Sequence, residues 1–230
     1  PGGHLLVWAS GKDRRPPQAT DTSPLPLVPS NSVWRYRDSG IAPDVGWRLP
    51  AYDDSAWASG EAMLGYGASE IKTALSHGAD PANKFPAAFF RLVFHSPVNA
   101  QDVQGPGLLQ LWADDGAIIY LNGVEVLRVR MPAGPVTHLT YASQIANGRG
   151  AWEQFDIPLD ALRRGANVLA AEVHQVNATS SDLCFWLALG ARRAKLHTNF
   201  KISAGNETVT LSAPDGSPAD QAPAQGVMRD

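Results

Sequence analysis

Apolar and polar residues in this chain alternate mostly with a period of two, in short runs broken by Gly, Pro, Asn and Asp. That pattern predicts strands joined by turns. Its centre is Leu108–Met131, LLQLWADDGAIIYLNGVEVLRVRM. The stretch reads as an apolar strand, an Asp-Asp-Gly turn, a second strand, an Asn-Gly turn and a third strand. Asn122-Gly123 is the strongest hairpin signal, because a two-residue type I′ turn needs positive φ at both central positions. On the second strand Ile119 and Leu121 face one way, and Ile118 and Tyr120 the other. Apolar residues on both faces predict a strand covered on both sides, as inside a sandwich.

Further strands are expected at His4–Ala9, Phe89–Phe94, about Trp152–Ile157, Asn167–Gln175 and Leu183–Leu189, with a pair about Ala204-Gly205-Asn206. Helical turns are expected only at Asp54–Ser59 and Pro158–Gly165. Residues 68–88 form the longest loop, and no long helix appears.

Composition narrows the class. The 230 residues hold 21 Gly, 18 Pro and one Cys, with 44% hydrophobic residues, which suits a cored all-β protein with many turns. The net charge of −3 and basic residues in isolated pairs (Arg14-Arg15, Arg163-Arg164, Arg192-Arg193) give no footprint for nucleic acid. No apolar run reaches the ~18–20 residues of a membrane span. Cys184 sits in the apolar run LCFWLAL and reads as a buried, inert thiol. The chain opens at Pro1 without a Met or a signal segment, which predicts a piece of a longer protein.

Three divisions follow. Residues 16–32, PPQATDTSPLPLVPSNS, have the chemistry of a Pro-rich linker. Residues 33–195 form the main domain. WRYRDSG (34–40), DDSAWASG (53–60), LGYG (64–67), FFR (89–91), DDGAIIYLNGVEVLRVRMPAG (114–134), NVLAAEVHQ (167–175) and SSDLCFWLAL (180–189) occur there in order. Together they resemble galactose-binding-like jelly-roll modules of bacterial surface and secreted proteins. The chain departs from that pattern at FPAAFFR, where Thr-Tyr-Phe-Arg is usual, and at Arg130, where Asn usually precedes Met. GGHLLVWASGKDRR (2–15) and LHTNFKISAGNETVTLSAPDG (196–216) resemble two halves of one lamin-tail-type immunoglobulin-like sandwich. The resemblance implies a jelly roll inserted in a loop of a lamin-tail domain, with 1–15 and 196–230 as its truncated parts.

Three groups are candidates for chemistry. Asp114 and Asp115 at a turn suit Ca²⁺, which takes six to eight oxygens, or a backbone-capping role. Glu172 and His174 share a strand face, with Gln175 next to them and Ser181 and Asp182 in the following loop. These form a buried network, or line a sugar or metal site. Asp53 and Asp54 beside Trp57 are a further Ca²⁺ or sugar candidate, since carbohydrate modules use aromatic rings with planar polar groups. Trp47, Trp57 and Trp112 are the tryptophans considered for exposure. No catalytic residue is assigned: Gly-x-Ser-x-Gly, phosphate-cradling loops and zinc spacings are absent from the sequence. A glycosidase reading requires Asp114 or Asp115 with Glu172 about 5–9.5 Å apart in an open cleft.

The expected function is that of a non-catalytic accessory module of a secreted or cell-surface protein, binding polysaccharide or another extracellular ligand. The alternative is a structural spacer orienting a catalytic domain elsewhere in the parent chain. No cofactor is required, and structural Ca²⁺ is a candidate.

Overall fold

A computed structural model describes residues 24–146, 151–193, 209–212 and 218–222. The chain divides into two compact units, Thr22–Lys195 and Pro1–Asp21 with Leu196–Asp230. In the first unit the strands are β1 (Leu25–Val28), β2 (Val33–Arg37), β3 (Ala58–Glu61), β4 (Leu64–Tyr66), β5 (Thr73–Ala74) and β6 (Ala87–Ser96). They continue as β7 (Val103–Asp114), β8 (Gly116–Leu121), β9 (Val124–Val129), β10 (Glu153–Ile157), β11 (Gly165–His174) and β12 (Leu183–Arg193). The first sheet has the order β10-β7-β12-β4-β5, with β1 also on β12; the second has β3-β2-β6-β11-β8-β9. Among the described residues the protein is therefore all-β, a two-sheet sandwich as the alternation predicted and of the jelly-roll type that the resemblance implied.

Leu109, Leu111 and Ala113 of β7 and Phe185, Leu187 and Leu189 of β12 meet Leu169, Ala171 and Val173 of β11 and Ile119 and Leu121 of β8 between the sheets. Phe90 stacks on Phe185 at 4.2 Å, and Trp34 meets the same ring edge-on at 4.9 Å. The second sheet buries its other face as well. Ile118, Tyr120, Val168 and Ala170 pack there under Trp47, Trp57, Met131 and Ala142. Double coverage explains why β8 and β11 read as nearly continuous apolar runs.

Asn122 and Gly123 have φ of 51° and 90°, and Leu121 pairs with Val124, so the predicted hairpin forms. The Asp-Asp-Gly segment differs from expectation. β7 lies in the first sheet and β8 in the second, so Asp114–Gly116 carries the chain between sheets rather than closing a hairpin. Gly116 is required by crowding: a Cβ there would meet Met131 Sδ at 2.6 Å and Arg130 O at 3.0 Å.

Part of the predicted linker is strand β1, antiparallel to β12, with Leu27 and Val28 buried. Pro26 is tolerated because an edge position does not need its missing N–H. At Pro158–Gly165 the chain makes a tight turn, Leu162 N to Leu159 O at 2.8 Å, and no helix. In the second unit β13 (Val209–Ser212) and β14 (Pro218–Ala222) pair antiparallel. The expected strand at 4–9, the first lamin-tail half, the strand pair about 204–206 and the pairing of the two halves lie outside the described residues.

Candidate functional site

The sequence candidates separate into two places. Asp114, Asp115, Gln175, Ser181 and Asp182 come together where the chain crosses between sheets and β11 runs into β12. The Asp115 carboxylate accepts Ala146 N at 3.1 Å and Val176 N at 2.8 Å, fixing two loops. Ser181 Oγ donates to Asp182 Oδ1 at 2.5 Å, and the Gln175 amide donates to Tyr66 OH. Burial, then the hydrogen bond and charge of Asp115 and the influence of Asp182, pushes the Asp114 carboxyl up to about 8. Asp114 thus keeps a proton at neutral pH, because its carboxyl is buried and lies beside two further carboxyls. The same surroundings push Tyr66 to about 12, with burial as the main cause. Burial with Asp114, Asp182 and Glu70 pushes Cys184 to about 12, which leaves an inert thiol.

A Ca²⁺ cage does not fit this donor set. Both Asp115 oxygens face backbone amides, Asp114 is engaged with its neighbouring carboxyls, and among the described residues no three His, Cys, Asp or Glu side chains converge on a metal position. Asp53 accepts Ser55 N at 2.9 Å, while Asp54 pairs with Arg91 at 2.8 Å. Those two are occupied separately.

Glu172 and His174 lie on the outer face of the second sheet. Glu172 takes Tyr120 OH at 2.6 Å, Arg48 at 3.0 Å and His174 Nε2 at 3.2 Å. His174 Nδ1 meets Thr140 O at 2.7 Å, so both ring nitrogens face acceptors. Burial is the largest influence on Glu172 and opposes its ionisation, but the hydrogen bonds from His174 and Tyr120 and the electrostatic influence of His174 and Arg48 together outweigh it and hold the carboxyl below its usual value. Arg48 lies over the Tyr120 ring at 4.3 Å. This is the buried network foreseen for the pair. Asp114, Asp115 and Glu172 are each buried, so the open carboxylate cleft of a glycosidase is not formed by them. Trp57 is 6% exposed and stacks on Trp47 at 6.2 Å, so it belongs to the core of that face rather than to a sugar platform.

A further aromatic cluster, of exposed Trp152 with half-buried Trp112 and Trp186, lies elsewhere and was not singled out by sequence reasoning as a group. On β12 Trp186 pairs directly with Trp112 of β7. Glu153 pairs with Leu111, so Trp152, one residue earlier, stands beside Trp112 on the far side. The three indoles form a compact triangle on the outer face of the first sheet. Centroids are 6.2 Å apart for Trp112–Trp186, 6.4 Å for Trp112–Trp152 and 4.7 Å for Trp152–Trp186. Trp152 is 38% exposed, and Trp186 is anchored through Nε1 to Ser30 O at 2.6 Å. The next row on this face is Gln154, Gln110 and Ala188, and the row beyond is Asp156, Leu108 and Gly190. Strand alternation gives the outward sense of Trp112 and Trp186, because Leu111 and Ala113, and Phe185 and Leu187, point inward.

No protein-family model matches the chain, and no curated protein sequence matches it significantly. Solved structures do align with it. Bacteroides uniformis β-glucuronidase 2, covalently bound to cyclophellitol-6-carboxylate aziridine, aligns over 73% of this chain and 18% of its own, at 16% identity and a TM-score of 0.46. A calcium-binding mutant of Bacteroides uniformis β-glucuronidase 2 aligns over 87% and 26%, at 16% identity and a TM-score of 0.47. A β-glycosidase from Bacteroides vulgatus aligns over 86% and 27%, at 15% identity and a TM-score of 0.41. This chain thus spans under a third of each glycosidase, and at these scores the likeness carries no argument about activity.

Proposed function

We propose that this chain is a non-catalytic accessory module of a secreted or cell-surface protein, and that it holds a polysaccharide or cell-surface glycan. The observation that carries this reading is the tryptophan cluster on the first sheet, with Trp152 exposed. A sugar ring presents a face of C–H groups and a rim of hydroxyls. Indoles supply large apolar area to the first, and neighbouring amides serve the second. Clustered aromatic surface beside exposed amides, here Gln110 and Gln154, suits an interaction site.

The spacer reading draws on a different observation, the burial of the polar groups at the sheet crossing and around Glu172. Those groups stabilise a scaffold and reach no ligand, whereas the indoles do. Other domains of the parent chain are the expected covalent partners under either reading. The likeness of residues 2–15 and 196–216 to lamin-tail halves supports an inserted arrangement. Limited proteolysis that leaves the two flanks associated with each other after the sandwich is excised would bear on it directly.

Affinity electrophoresis of the whole chain through gels carrying soluble polysaccharides tests the binding reading. Retardation by at least one polymer is expected, and unaltered migration in all of them defeats it.

A further inference from the structure

The loop between β11 and β12 carries Asn177-Ala178-Thr179, an Asn-x-Thr sequence without Pro at its centre. Resting on the secreted or cell-surface reading above, we infer that Asn177 is an N-glycosylation site, its side-chain nitrogen bearing a glycan that stands outside the sandwich. The residue types and the geometry of the loop carry this together.

Asn-x-Ser/Thr is the acceptor sequence for transfer of a glycan from a polyprenyl diphosphate carrier. A bond forms between Asn177 Nδ2 and the anomeric carbon of the first sugar. The bond from that carbon to the carrier oxygen breaks, the diphosphate leaves with the electron pair, and one Nδ2 proton passes to the transferase. The product must then fit the folded chain.

Asn177 and Thr179 are both exposed. Asn177 Oδ1 accepts Thr179 N at 2.9 Å and Thr179 Oγ1 at 3.0 Å. Both bonds fall on the oxygen, and among the described residues no hydrogen bond engages Nδ2. A sugar in place of one Nδ2 hydrogen therefore breaks nothing in the fold. The loop is held by other groups: Val176 N donates to Asp115 Oδ2 at 2.8 Å, Lys84 N to Ala178 O at 3.0 Å, and Lys84 Nζ to Ser180 O. Its position does not depend on the free amide.

Other asparagines lack one part or the other. Asn122 Nδ2 donates to Ala161 O and Asn167 Oδ1, and Asn167 Nδ2 donates to Arg163 O and Gly165 O, so those amides are committed to the interior. Asn99 comes nearer. Its Oδ1 accepts Gln101 N at 2.9 Å and Asp102 N at 3.2 Å, but Gln101 stands where an acceptor sequence needs a hydroxyl. A second Asn-x-Thr, Asn206-Glu207-Thr208, lies outside the described residues.

The test is intact-glycopeptide mass spectrometry of the full-length protein from its natural producer, with fragmentation that locates the glycan. Protease shaving of intact cells, run in parallel, reports whether the protein lies outside. A glycan on Asn177 and a bare Asn99 are expected. Thr179→Val is expected to lose the glycan and Thr179→Ser to retain it, with melting temperatures as the folding control. A bare Asn177 on protein found outside the cell overturns this inference and leaves the surface reading standing, even if Asn206 is occupied. A bare Asn177 on protein found inside overturns both. An Asn177 glycan that survives Thr179→Val overturns the acceptor sequence as its cause.

Discussion

At the scale of single residues, the two buried acids respond to pH in opposite directions. Asp114 in the folded chain holds its proton up to about 8, against an ordinary value of 3.8. Between those values the unfolded chain has released a proton that the folded chain keeps, so folding stability falls as pH rises through that window and levels off above it. Asp114→Asn retains a donor and cannot titrate. Thermal melts from pH 4 to pH 9 are expected to show the wild type losing stability relative to this variant; parallel curves would refute the protonated Asp114. Glu172 has the reverse sign. Its carboxyl is held below 4.5, so its contribution is present at neutral pH and is lost as pH falls through its lowered value. Glu172→Gln is expected to cost about 1–3 kcal/mol at pH 7 in denaturant titrations, because Arg48 loses its counter-charge and the buried bonds to Tyr120 and His174 lose their anionic acceptor. The common face of Glu172 and His174 was legible in the sequence, since two residues apart on a strand is one face. The partners were not: Tyr120 comes from β8, and Arg48 and Thr140 from the loops covering the sheet, none of them near in sequence.

Individual elements show where local chemistry ends and register begins. Asn122-Gly123 is a hairpin because no other dipeptide accepts two positive φ values so readily, and that is decided within two residues. Asn122 does more than turn. Its amide donates to Ala161 O and Asn167 Oδ1, both at 2.8 Å, and its oxygen accepts Val168 N at 2.8 Å, tying the hairpin to β11. Asn122→Gly keeps the positive φ and removes those bonds. It is expected to destabilise by about 1–3 kcal/mol in urea titrations, and a neutral or stabilising effect would reduce Asn122 to a turn residue. Asp-Asp-Gly resembles a hairpin turn just as well, yet it spans two sheets. Nothing within those three residues says that β7 will take β10 and β12 as neighbours while β8 takes β11 and β9. The tryptophan cluster was hidden for the same reason. Alternation sends Trp112 and Trp186 outward, but their meeting depends on the β7–β12 register, set by residues far apart in the chain.

Across the sandwich as a whole, apolar material forms two layers, one between the sheets and one on the outer face of the second sheet, and Arg91 clamps the outer one. Arg91 is 1% exposed on β6. Its Nε meets Asp54 Oδ2 at 2.8 Å, its other nitrogens donate to Trp47 O, to Leu49 O at 3.2 Å and to Tyr52 O at 3.3 Å, and its guanidinium lies 5.1 Å from the Tyr52 ring centre. One side chain thereby satisfies three carbonyls and a carboxylate of the segment that carries Trp47 and Trp57 over the sheet. Arg91→Met fills a similar volume but leaves those acceptors unpaired, a loss of about 3–5 kcal/mol when one partner of a buried pair is removed. The inter-sheet core around Phe90 and Phe185 does not use Arg91, because adjacent residues of a strand face opposite ways. The damage should therefore be local. Hydrogen exchange of Arg91→Met is expected to accelerate first in 47–57, with β11 and β12 protected until global unfolding. Simultaneous loss of protection in all three segments would show that the two layers open as one cooperative unit.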